Sequence, residues 1–126
     1  MTTSKIVQPS QFGWAKPSMT VAEWNGDLLY ISGLVAFQHD GSIAPGGMYD
    51  QAVCVFSNLK TVLAEAGLEM DSLLKINCFL ADPSKFGEFA TARAEAFPVR
   101  LPVNTTVGST LVMPELLVEV DAIARR

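Results

Sequence analysis

Leu101-Pro102-Val103-Asn104-Thr105-Thr106-Val107-Gly108 and, beyond a turn region around Met113-Pro114-Glu115, Leu116-Leu117-Val118-Glu119-Val120-Asp121-Ala122-Ile123-Ala124 are the stretch on which the fold turns. The first arm is rich in Val and Thr, whose branched side chains suit a pleated surface. The second alternates, with Leu116, Val118, Val120, Ala122 and Ala124 on one face and Leu117, Glu119, Asp121 and Ile123 on the other. Both arms are predicted strands, closing the chain as a hairpin. Glu119 then stands mid-strand on a face shared with Leu117 and Ile123. A carboxylate there is solvated at an edge, paired, or part of a cleft.

Upstream, the punctuation is clear. Lys5 to Pro9 reads as a short strand and Ser10 to Pro17 as a loop. Met19 to Trp24 and Leu28 to Leu34 flank Asn25-Gly26, a strong hairpin signal. His39 to Gly47, with Asp40-Gly41 and Pro45-Gly46-Gly47, is loop, and His39 reads as a solvated turn residue. Met48 to Ala66 is the clearest helix, with Ala52, Phe56, Leu59, Leu63 and Ala66 recurring at four- and three-residue steps and Gly67 placed to stop it. Leu73 to Leu80 is a strand. Asp82-Pro83 opens a second helix that runs to Phe97 with Phe86, Phe89, Ala90 and Phe97 inward, and Pro98 ends it.

One domain of 126 residues is expected, 1–126, in the α+β class. Two helices separated by strands can cover one face of a sheet, and nothing remains to cover the other. Apolar residues make up 49% and charged residues 17% of the chain, so the uncovered face is expected to meet another subunit. A net charge of −4 argues against a nucleic-acid partner, which calls for a basic footprint. No apolar run reaches membrane-spanning length, and Met1-Thr2-Thr3-Ser4-Lys5 leads into no apolar leader segment. One His and two Cys on separate elements give no metal-type spacing, and Cys54 and Cys78 read as reduced, buried thiols. No metal and no cofactor are expected, and the expected compartment is cytoplasmic.

Several short stretches resemble the reactive-intermediate deaminase family, also called Rid or YjgF. They are Ile31-Ser32-Gly33, Gln51-Ala52 with Asn58, Glu65-Ala66-Gly67-Leu68, Lys75, Phe79-Leu80 with Asp82, Phe86 and Phe97, Leu101-Pro102, and Val118-Glu119-Val120-Asp121-Ala122-Ile123-Ala124. Together they span nearly the whole chain in matching order. The resemblance implies a chorismate-mutase-like (YjgF-like) fold, a mixed sheet with two helices on one face. It also implies a cytoplasmic homotrimer with clefts between subunits, and metal-free hydrolysis of reactive enamines and imines to carbonyl products and ammonia.

In that family an arginine grips the substrate carboxylate, a glutamate at the site of Glu119 holds the attacking water, and a serine at the site of Ser32 helps orient the substrate. Carried over by position, Glu119 is the catalytic residue, and Ser32, Gly33, Asn104, Thr106 and Met19 line the small-molecule site. The arginine position holds Asn104, the family's frequent cysteine holds Thr106, and its common tyrosine holds Met19. Asn104 carries no charge, so the anion clamp is missing and an altered substrate is expected. Arg100, four residues before Asn104, is the candidate replacement clamp, whereas Arg93 reads as a helix-surface cation. The alternative is a non-catalytic trimeric module that binds a metabolite or a partner protein in the same clefts.

Overall fold

The computed structural model describes residues 5–126. β1 (Ile6–Val7) lies antiparallel on β2 (Ala22–Asn25), and β2 turns back into β3 (Leu28–Val35). Asn25 pairs with Leu28, so the two-residue turn is Gly26-Asp27, with Gly26 at φ +61°, one place later than the Asn-Gly signal suggests. α1 (Met48–Glu65) begins at Gly47, whose N–H donates to Asp50 Oδ2 at 3.2 Å. Gly67, at φ +76°, follows its end. β4 (Leu73–Leu80) has the predicted bounds.

Asp82 does cap the next segment, accepting from the Ser84 N–H at 3.0 Å. The first turn, Pro83–Lys85, is a 3-10 turn, and α2 proper runs Phe86–Ala96. Phe89 and Phe97 are buried as expected, but Phe86 is exposed, lying at the outer edge of the helix.

The C-terminal hairpin is corrected. β5 (Val103–Gly108) and β6 (Val118–Arg125) are not neighbours: the sheet order is β1-β2-β3-β6-β4-β5. β5 lies parallel to β4 at the edge, reached through α2, while β6 runs antiparallel between β3 and β4. A parallel neighbour requires a crossover, and β4-α2-β5 supplies one. β6, apolar at every second residue, gains a hydrogen-bonded strand on each side at the sheet centre.

The register sorts the side chains into rows. One face carries Leu34, Val120, Cys78 and Thr106 in one row and Ile31, Ala122, Ile76 and Asn104 in the next. Both helices cover this face. Ala52, Val55, Leu59, Val62 and Leu63 of α1 and Phe89 of α2 join its buried residues in one core. Phe56 meets Phe97 edge-on at 5.6 Å, joining α1 to the end of α2. The other face carries Val35, Glu119, Phe79 and Val107, then Tyr30, Ile123, Lys75 and Val103. No helix among the described residues covers it, and Val103 is 68% exposed, Tyr30 46% and Val107 44%.

Two buried polar side chains tie α1 to the sheet. Gln51 Nε2 donates to Glu115 O, and its Oε1 accepts from Leu117 N–H, both at 2.9 Å. Asn58 Nδ2 donates to Val35 O at 3.1 Å and to Phe37 O at 2.9 Å. They fix the entry to β6, the strand of Glu119, and the exit from β3, the strand beside it.

Candidate active site

Glu119 lies on β6 between Val35 and Phe79, on the helix-free face. Beside it, β3 bulges: Ile31 pairs with Ala122 and Leu34 with Val120, so Ser32 and Gly33 together oppose Asp121 alone. A Cβ on Gly33 would collide with Glu119 Oε2 and come within 2.9 Å of its Cδ. Glycine is therefore what lets the carboxylate fold down over the bulge.

The carboxylate is half-buried and has no hydrogen-bond or ion-pair partner among the described residues. Burial, and secondarily the nearby Asp121 charge, hold its pKa above the ordinary 4.5. Asp121 differs: its Oδ1 accepts from Asn77 Nδ2 at 2.7 Å. Glu119 thus keeps its acceptor sites open, which suits a group that holds a water and takes its proton. Ser32 donates twice to Val21 O, through N–H and Oγ, each at 2.9 Å. Its hydroxyl proton is therefore engaged, while its oxygen can still accept.

Asn104 and Thr106 lie elsewhere. They share rows with buried Ile76 and Cys78, on the helix side of the sheet. A single chain therefore does not bring Asn104 and Glu119 into one cleft: they stand on opposite faces, with β4 between their strands. What Asn104 does meet is Arg93, from α2. Arg93 Nη1 donates to Asn104 Oδ1 at 3.3 Å and to Thr106 Oγ1 at 3.4 Å. Asn104 is oriented in turn by its Nδ2, which donates to Pro102 O at 3.2 Å. The guanidinium carbon stands 5.5 Å from the Phe86 ring centroid and 5.4 Å from that of Phe89. Cys78, behind Thr106, is a buried thiol whose pKa is pushed up to about 11 by that burial.

Arg100 does not reach this group; it is exposed and donates to Asp71 O at 3.4 Å. Met19 is exposed in the loop before β2, where its carbonyl accepts from Gln8 Nε2 at 2.6 Å. Arg93 is the residue that sequence reasoning placed on the surface. A signal for it was present: Phe86, Phe89, Arg93 and Phe97 follow at steps of three, four and four, one face of a helix. Among the described residues no three His, Cys, Asp or Glu side chains cluster as metal ligands, and no helix is long and apolar enough to cross a membrane.

Known proteins share this architecture. The family model described as Endoribonuclease L-PSP matches residues 16–126. Protein MMF1, mitochondrial, of Saccharomyces cerevisiae is 31% identical over 87% of this chain and 76% of its own length. The RutC family protein YjgH of Escherichia coli is 33% identical over 77% of this chain and 75% of its own. A crystal structure from Entamoeba histolytica named for the same L-PSP family superposes with a TM-score of 0.90 at 31% identity, covering 98% of this chain and all of that one.

Proposed function

The chain belongs to the endoribonuclease L-PSP family, whose fold is shared by proteins named for the Rid and YjgF families, and from that premise we propose that it hydrolyses small reactive imines and enamines. The observation that carries this reading is Glu119: a half-buried carboxylate with no partner among the described residues and a raised pKa, folded over a glycine on a bulge. The imine tautomer, with its carbon–nitrogen double bond, is the reacting form. Glu119 accepts a proton from water as the water oxygen bonds the imine carbon. The electron pair of the double bond moves to nitrogen, which takes that proton back from Glu119. Glu119 then accepts the hydroxyl proton of the carbinolamine and passes it to the amine nitrogen as the carbon–nitrogen bond breaks, leaving the carbonyl product and ammonia with Glu119 ionised again. The ligand is a small molecule, the assembly a homotrimer with clefts between subunits, and the reaction uses no metal or cofactor.

The family's name would suggest RNA cleavage. The net charge of −4 supports that reading poorly, since phosphate contacts need exchangeable cations. A binding module without catalysis is the second reading, favoured by one observation, the uncharged Asn104 at the family's arginine position. For the compartment we propose the cytoplasm, as the family resemblance implies; the unbridged Cys54 and Cys78 fit any reducing compartment.

The test is an activity panel of carboxylated and uncharged imines, followed as ammonia and carbonyl product, with Glu119→Ala as control. Turnover should fall roughly 10²–10⁴-fold in the variant, the usual contribution of a positioned base. Processing of no imine by the folded wild type would hand the site to the binding-module reading.

A further inference from the structure

We propose that Arg93 is the anion-binding group of the site: the charge missing at Asn104 is supplied from α2, held in place by Asn104 and Thr106, and seats the carboxylate of a small 2-imino or 2-keto acid. The substrate class rests on the hydrolytic reading above; the location of the cation does not.

Arg93 is half-buried, yet all its partners among the described residues are neutral: an amide oxygen, a hydroxyl and two aromatic rings. The ion pairs among the described residues are Lys85–Glu88 and Arg126–Asp27, and neither involves Arg93. A guanidinium drawn partly out of water normally finds a carboxylate. Here only Nη1 is engaged, so the remaining donors of the fork stay available for a planar, two-oxygen anion. The rings of Phe86 and Phe89 hold the plane of the group, and the sequence Pro102 O, Asn104 Nδ2, Asn104 Oδ1, Arg93 Nη1 fixes its direction.

Asn104 is thus a positioning residue for a cation that stands beside it in space and eleven places before it in the chain. An arginine at 104 would put a second guanidinium against the first. Asparagine instead presents an oxygen to it.

The experiment measures two things on the intact protein: binding of 2-oxobutanoate by calorimetry, and kcat/KM for a 2-imino acid against its methyl ester. Arg93→Ala should weaken 2-oxobutanoate binding by about 30-fold or more, the fold-change equivalent to roughly 2 kcal/mol for truncating one member of a hydrogen-bonded charge pair. Arg93→Lys should recover only part of it, because the ammonium lacks the planar fork. Asn104→Ala should lower the acid-over-ester preference, a readout that simple destabilisation does not move. Arg93→Ala/Asn104→Arg, which returns the charge to the strand, should regain binding. Circular dichroism checks that each variant folds.

Arg93→Ala that binds 2-oxobutanoate as wild type does overturns the proposal, and continued imine turnover would then leave the hydrolytic reading standing. Arg93-dependent binding in a protein that turns over no imine supports the proposal while the hydrolytic reading fails. A wild type that does not bind millimolar 2-oxobutanoate overturns it outright.

Discussion

Glu119 holds its proton more tightly than a solvated glutamate because burial disfavours the ionised form and Asp121 adds a like charge. Its folded pKa is raised above its unfolded value, so the stabilising side is the acid side. Below the ordinary value near 4.5 the group is neutral in both states and costs nothing; as pH rises through the raised folded value, ionisation costs stability. The acid limb of kcat/KM should therefore lie above the ordinary glutamate range. Asp121→Asn should move it to lower pH by removing the second cause, and a pH–rate profile for both proteins checks this. Glu119→Gln should raise the melting temperature at pH 7 by a few degrees at most, since solvent screens a half-exposed group. That gain should disappear below about pH 4, where the wild-type carboxyl is neutral as well.

At the scale of elements, α1 acts on the site without touching it. Gln51 and Asn58 are nearly fully buried, and each satisfies two backbone groups at the ends of β6 and β3. Gln51→Ala or Asn58→Ala strands those groups, at a cost of roughly 1–3 kcal/mol for each unsatisfied buried group. Urea unfolding should show the midpoint falling with the slope unchanged. Asn58→Ala should also lower turnover, because the bulge at Ser32-Gly33 hangs from the strand it anchors.

These elements also mark what could be read from the sequence alone. α1, β4, the first hairpin and the face carrying Glu119 were legible, because helical and alternating periods and turn residues act locally. The partnership of β5 was not, since pairing is settled by the crossover through α2 and not by proximity in the chain. Asn104 and Thr106 are named as candidates by position alone, and their facing is set by the register with β4, which alternation within β5 cannot supply. Arg93 was misread because a charged residue on an apolar stripe was assigned to solvent before its stem and ring contacts were known.

The whole molecule has one helix-free sheet face bearing Val103, Tyr30 and Val107, and it carries Glu119 on one side of the sheet and Arg93 on the other. If both serve one substrate, they come from different copies. Mixing Arg93→Ala subunits with Glu119→Ala subunits, by unfolding and refolding together, should therefore restore turnover that neither variant has alone. In a ring of three each mixed assembly keeps one complete site, so a statistical mixture should reach about a quarter of wild-type turnover. Sedimentation should report about three times the monomer mass, and failure to complement in a mixed trimer would separate the two residues functionally.

The position of β6 bears on how the sheet comes into being. Its strand neighbours are complete by Val35 and Leu80, yet the strand that joins them spans Val118–Arg125, pairing Leu28 with Arg125. During synthesis, at roughly 5–20 residues per second, two half-sheets must wait for several seconds with facing edges unpaired. Closure is then a long-range event of high sequence separation, slow by the usual dependence of folding rate on topology. The newborn chain is accordingly most exposed to misassociation in the interval before its keystone strand arrives.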